Sequence, residues 1–354
     1  ITESGMTVGS YAFRSCNSLR AVYVSCASQA TIDNSAFYQS SVLSIGLPLN
    51  VTFTGSPTRL TGDCGLPGER LPAIDANGHL EIPEGTLMVP NTYYGNGALK
   101  SVHIASTVTL IGDQAFGACA NLVNVTFAAN STLATVGAYA FTGTGIVSLD
   151  IPDTTKTIMR NAFQGCASLT SVSIPDATKT IMRNAFQSCA SRKSVSFTSQ
   201  SQLSSIQTYA FQSCSALPAF AVPDMVTEIE SYAFSSTPEL KMVTFGSGSA
   251  LTAIGTYAFS SSGLTTITIP SNVLTIGSSA FQTCSSLKFV YFDYSNSKLT
   301  SIGSNAFYND DSLLGFAIPE SVVSVGSQAL GHCDSLRAVY VSCASQATID
   351  YYAF

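Results

Sequence analysis

Fourteen times along this chain a branched aliphatic residue is followed five positions later by a bulky partner, aromatic in every case but one. The pairs run from Val8 and Phe13 through Ile111 and Phe116, Ile181 and Phe186, and Ile254 and Phe259 to Ile349 and Phe354, twelve of them ending in Ala-Phe and six with the fuller string IGxxAF or VGxxAF. Val89 is paired in this way with Tyr94, and Val325 with Leu330, the one partner that is not aromatic. A sequence that repeats itself at such a short period does not build one central core. Each unit buries its apolar edge against the units before and after it. A solenoid is therefore expected, and catalysis is not.

A one-dimensional array has no size ceiling, so residues 1–354 are read as a single architectural domain. Charged residues make up 10% of the chain, against about a quarter in ordinary globular proteins, and Ser, Thr and Gly supply the polarity instead. A net charge of −6 without any basic run argues against nucleic acid as a partner, because neutralising phosphates needs clustered Lys and Arg. Mean hydropathy is high at +0.28, yet it is periodic and belongs to a core. No stretch approaches the roughly 18–20 uninterrupted apolar residues of a membrane span, so no membrane insertion is expected within this segment. The chain starts at Ile1 without an initiator Met or a signal-type apolar run and reads as a mature product or an excerpt.

Aligned, the units give a consensus close to LxxVxIPxxxTxIGxxAFxxCxS, well seen in Leu169, Val172, Ile174, Pro175, Ile181, Phe186 and Cys189. Val172, Ser173 and Ile174 alternate apolar and polar, the pattern of a strand buried on one face. One short parallel strand per repeat of 22–26 residues is expected, mostly β and irregular with little helix, and the strands should stack into a long sheet. Two flavours of repeat are visible. Where the strand ends in Ile-Pro, as at Ile151 and Ile269, the next aliphatic of the pair lies seven positions on; where it ends in Phe, as at Phe127, Phe197 and Phe245, it lies nine positions on. Proline suits a tight exit from a strand, and the Phe type takes a longer loop.

The periodicity breaks at about 54–78, a Gly- and Pro-rich stretch read as an insertion at a surface corner. Ser18–Asp33 recurs unchanged as Ser335–Asp350, and both ends look like interior repeats rather than caps. That duplication points to a longer array or filament, with copies of the chain or further repeats end to end.

The run from Ile267, Ile269 and Pro270 through Ile276 and Gly277 to Ala280, Phe281, Cys284 and Leu287 resembles the BspA-type leucine-rich repeat family, over the whole chain except the insertion. The resemblance implies a curved, right-handed leucine-rich-repeat coil with its strands on the concave side, in a family whose members are cell-surface or secreted proteins implicated in adhesion.

Seven of the ten cysteines stand three positions after the repeat's Phe or Leu and so share one column of the coil. The column works with isolated thiols elsewhere, which marks it as a small core position. Cys166, Cys189 and Cys214 are stacked neighbours at a rung spacing compatible with a bridge, and a disulfide among them is the alternative. The histidines stand in unrelated sequence contexts and no metal-ligand spacing occurs, so neither a metal nor any cofactor is expected. No nucleophile elbow, phosphate loop or dinucleotide fingerprint is present.

The outward-facing strand positions form the candidate binding face: Tyr23, His103, Thr126, Asp150, Ser173, Ser196, Thr244, Thr268, Tyr291 and Tyr340. A shallow hydroxylated strip with exposed tyrosines suits a protein or glycan ligand. Sequons at Asn50, Asn124 and Asn130 are candidate N-glycosylation sites. Together these features predict a non-enzymatic extracellular or cell-surface structural scaffold binding protein or glycan through the concave sheet, with adhesion as the role that the resemblance implies. The alternative is an intracellular leucine-rich-repeat module for protein recognition.

Overall fold

The computed structural model describes residues 72–292, 296–341 and 347–354 in full, and ahead of them the backbone of five strands, Met6–Val8, Ala21–Tyr23, Ala30–Asp33, Ser44–Gly46 and Val51–Thr54. Most of the stretch expected as an insertion, with Asn50 and the partners Phe13 and Phe37, lies outside the described residues. The chain is a parallel β-solenoid, and one short 3-10 turn, Asn91–Tyr93, is the only helix among the described residues.

The strands expected from period-two alternation are present, for example Ser101–Ile104, Ser171–Ser173 and Thr266–Ile269. From Met88 onward each turn also carries a second strand of two residues that ends on the aliphatic of the pair, such as Thr180–Ile181 and Thr275–Ile276. Twelve of these short strands, from Met88–Val89 to Thr348–Ile349, pair in parallel and in sequence order to form a single unbroken sheet. Two residues are too few to show an alternation, so this column is silent in the sequence. Upstream, Ile32 pairs with Phe53, which therefore fills the position an Ile or Val holds in other turns.

Inside the coil the aromatic partners form a continuous stack. Phe116, Phe141, Phe163, Phe186, Phe211, Phe234, Phe259, Phe281 and Phe307 follow one another at centroid distances of 5.0–5.4 Å, with interplanar angles of 20° or less. All nine are fully buried. Such offset stacking adds about 0.5–1.5 kcal/mol per pair beyond the area buried. Among the described residues the first ring of the stack is Tyr93, 5.8 Å from Phe116, and not Tyr94, the residue five positions after Val89. Tyr93 is 4% exposed and Tyr94 53%. Pro90 stands after Val89 where half of the units have Gly, and the 3-10 turn that follows shortens the path by one residue.

The aromatic corner is held by backbone bonds to the next turn. Phe163 N–H donates to the Ala185 carbonyl at 2.8 Å, Asn161 N–H to Arg183 at 3.0 Å and Gly165 N–H to Gln187 at 2.8 Å. Every second amide must point the same way, and the residues two before and two after the Phe accordingly take positive φ, 58° at Asn161 and 70° at Gly165. The Gly of the IG pair has a different cause. A Cβ on Gly277 would lie 2.7 Å from the Gly255 backbone of the preceding turn.

The longer strands do not make the single long sheet expected of them. They divide into sheets of two or three, and in the described part each division follows a strand that ends in Phe: Phe127, Phe197 after Ser194–Ser196, Phe245 and Phe292. Within a sheet the first cross-turn bond is short, as in Lys193 N–H to Thr170 at 2.7 Å and Lys288 N–H to Thr265 at 2.8 Å. Across a division it lengthens to 3.4 Å from Val147 to Val123, 3.3 Å from Thr265 to Lys241 and 3.2 Å from Leu314 to Lys288. At the remaining division Pro218 has no N–H to give. The bulky ring acts as a wedge: Phe197 and Phe292 meet the next turn's Phe220 and Phe316 edge-on, at 5.5 and 5.7 Å.

Candidate binding surface

The wedges matter because they open the outward face. Thr244 lies on Met242–Phe245 and Thr268 on Thr266–Ile269, neighbouring strands that no ladder joins. Between them is a cleft of about 410 Å³, lined by Thr244, Phe245, Ser247, Thr268, Pro270 and Asn272 among others. The loop after Phe245 is Gly246, Ser247, Gly248 and Ser249, so little side-chain bulk refills the gap. A Cβ on Gly246 would collide with the carboxylate of Asp224, which stands behind this loop. Asn272 braces the floor, donating from Nδ2 to the Ser249 carbonyl at 3.0 Å and accepting at Oδ1 from Lys298 Nζ at 2.9 Å. The hydroxyls of Thr244, Thr268, Ser247 and Ser271 have no hydrogen-bond partner among the described residues.

The other candidate residues occupy the same face in register. His103 pairs with Thr126, Asp150 with Ser173 and Ser173 with Ser196, while Thr268 pairs with Tyr291 and Ala317 with Tyr340. Thr126, Asp150, Ser173, Ser196, Tyr291 and Tyr340 are exposed, and His103 is half-buried. Tyr23 lies on a described strand, but its side chain is outside the described residues. Tyr291 also stacks against Phe289, ring centroids 5.9 Å apart, giving the face an exposed aromatic patch. Asn124 and Asn130 are both exposed.

Two groupings were not legible in the sequence. His79 and His103, read there as unrelated, flank Glu81 on this face: His79 Nε2 is 3.4 Å and His103 Nε2 4.0 Å from the carboxylate, and their Nδ1 atoms meet Ser101 and Thr126 at 2.8 and 2.9 Å. Elsewhere on the coil Tyr209, Tyr232 and Tyr257 stack at 4.9 and 4.7 Å, with Arg183 5.5 Å above the first ring. The described residues hold no group of three or more His, Cys, Asp or Glu arranged for a metal, and no helix long and apolar enough to cross a membrane.

The cysteine column has a definite role. The Sγ atoms of Cys166, Cys189 and Cys214 each donate to the carbonyl of the preceding turn's Phe, at 3.1, 3.2 and 3.2 Å, and all three are buried free thiols. Where Thr replaces Cys, as at Thr144 and Thr237, its hydroxyl donates to the carbonyl of its own turn's Phe. At these turns the position holds a small X–H donor. Burial pushes the Cys166 thiol up to about 12 and raises Cys189 and Cys214 as well, so the thiolate needed for reaction is suppressed.

The BspA-type leucine-rich repeat model matches residues 1–58, 87–218, 134–262 and 204–337. These spans cover most of the chain. The chain belongs to the BspA-type leucine-rich repeat family. This BspA-type coil is similar in fold to a leucine-rich repeat protein from Bacteroides ovatus, at 22% identity and a TM-score of 0.52, over 76% of this chain and 78% of that one. A leucine rich cell surface protein from Faecalibacterium prausnitzii aligns at 25% identity and a TM-score of 0.41, over 71% and 83% of the two chains. The pneumococcal vaccine antigen PcpA aligns at 16% identity and 0.45, over 96% and 76%. No curated protein matches the BspA-type chain in sequence.

Proposed function

We propose that this chain is a non-enzymatic, surface-displayed adhesion scaffold that binds protein or glycan through the outward face of its longer strands. The observation that carries the reading is the contrast within one face. A hydroxylated, weakly charged strip runs through Thr126, Ser173, Ser196 and Thr244 into the exposed Phe289 and Tyr291 patch. Aromatic side chains of this kind bring large contact area at low entropic cost. Two relatives of low identity support display outside the cell, one named as a cell surface protein and one as a vaccine antigen.

The test is binding of the full chain to immobilised host extracellular proteins and glycans. Replacing Phe289 and Tyr291 with Ser should reduce capture at least tenfold while the far-UV circular dichroism is unchanged. Equal capture by the variant would sink the assignment of this face.

A further inference from the structure

We infer that the cleft between Met242–Phe245 and Thr266–Ile269 is a subsite for a neutral pyranose unit of a glycan. The inference rests on the reading of the strand face as the recognition surface and names the ligand class of one place on it.

Three observations carry it. The first is size: about 410 Å³ falls within the 300–1,000 Å³ of ordinary small-ligand sites. The second is chemistry. Four hydroxyls, on Thr244, Ser247, Thr268 and Ser271, converge without partners of their own among the described residues, and each can both donate and accept. A sugar presents the same mixed donors and acceptors on its ring hydroxyls, and its C–H face needs an apolar patch, which half-buried Phe245 and Pro270 provide. The third is charge. No Lys, Arg, Asp or Glu lines the cleft; the Lys298 ammonium, bonded to Asn272, and the Asp224 carboxylate, beside Gly246, stand outside the lining and are opposite in sign. The wall therefore offers a sulfate or carboxylate no charged partner of its own, and the neutral hydroxyl lining favours a neutral sugar over an anionic one.

The ligand space also has a structural origin. The Phe245 wedge keeps the two strands from closing into a ladder, and the small Gly246 to Ser249 loop leaves the gap open. Asn272, tied on both sides, fixes the floor before any ligand arrives.

Isothermal titration of the full chain with neutral hexose hexasaccharides, α-glucan and α-mannan, and with a sulfated hexasaccharide tests the inference. Binding of a neutral probe is expected, weakened roughly tenfold to thirtyfold in the double variant Thr244→Val with Thr268→Val, which removes two hydrogen-bonding hydroxyls but keeps the β-branched shape. Ser247→Ala with Ser271→Ala, outside the strands, should weaken it similarly and guards against a folding defect in the first variant. Absence of binding to both neutral probes, equal binding by both variants, or preference for the sulfated probe would each overturn it. If the chain then still captures a protein ligand through Phe289 and Tyr291, the scaffold reading survives and the glycan subsite alone is lost.

Discussion

Arg192 lies with its guanidinium carbon 4.3 Å from the ring centroid of Phe186, fully buried, in the column position that Leu169 and Leu217 hold in the turns on either side. None of its three guanidinium nitrogens has a hydrogen-bond partner, and no carboxylate pairs with it among the described residues. Cation–π attraction to Phe186 and, at 6.0 Å, to Phe211 offsets only part of the desolvation cost. Arg192→Leu restores the column and is expected to stabilise the fold by about 1–4 kcal/mol. Urea unfolding followed by circular dichroism reads this as a higher midpoint. A lower midpoint would mean that Arg192 has a stabilising partner.

A second buried charge-bearing group predicts a pH dependence. Asp310 occupies the cysteine column; its Oδ1 accepts the Cys284 N–H at 2.7 Å while Oδ2 is buried without a partner. Burial, aided by the nearby Asp311, pushes its carboxyl well above the usual carboxylate range despite the Cys284 amide. Because the folded-state pKa is the higher one, Asp310's stabilising contribution is full below the unfolded pKa near 4 and is lost as pH rises through the folded value. Stability should therefore fall with rising pH above about 4. Asp310→Asn keeps the acceptor for Cys284 and should flatten this slope. Thermal melts of both proteins across pH 4–8 provide the measurement, and parallel slopes would refute the assignment.

Much of this architecture is legible in the chain because the solenoid repeats its instructions. The five-residue spacing marks the core at Ile181 and Phe186, and Val172 with Ile174 marks a strand, since each is a local pattern repeated in phase. What the sequence conceals depends on contacts between turns. Thr180–Ile181 is too short to signal a strand, and the Phe245 wedge acts on the following turn's Thr266–Ile269 rather than on its own. His79 and His103 meet at Glu81 because the pairing of two turns puts His103 in register with Glu81, two residues after His79, although the histidines are 24 residues apart in the chain. The binding-face residues Thr244 and Thr268 follow from alternation alone, whereas Ser247, Ser271 and Asn272 join them only through the missing ladder.

The thiol column gives a prediction about redox state. With each Sγ bonded to a Phe carbonyl and burial raising the thiols, Cys166, Cys189 and Cys214 should resist alkylation in the native protein at pH 8. Under denaturing, non-reducing conditions all three should label, as read by peptide mass spectrometry. Failure of any pair to label until a reductant is added would instead establish a bridge between stacked turns. Cys214→Thr keeps a donor, which by the precedent of Thr237 would turn to its own turn's Phe211 carbonyl, and should cost about 1 kcal/mol less than Cys214→Val, which has none.

Tyr93 and Tyr94 separate sequence spacing from observed packing. Tyr94 has the five-residue spacing from Val89, but Tyr93 is the one that stacks on Phe116 and donates its hydroxyl to the Pro72 carbonyl at 3.0 Å. Tyr93→Ala should cost about 3–5 kcal/mol, the usual loss for a large buried aromatic, and Tyr94→Ala no more than about 0.5 kcal/mol. Because solenoid stability is carried by neighbouring turns, the loss at Tyr93 should also appear as faster amide exchange at Leu110 and Ile111, which pair with Met88 and Val89. If Tyr94→Ala were the damaging change, the 3-10 turn Asn91–Tyr93 would not shorten the path and the five-residue rule would hold here too.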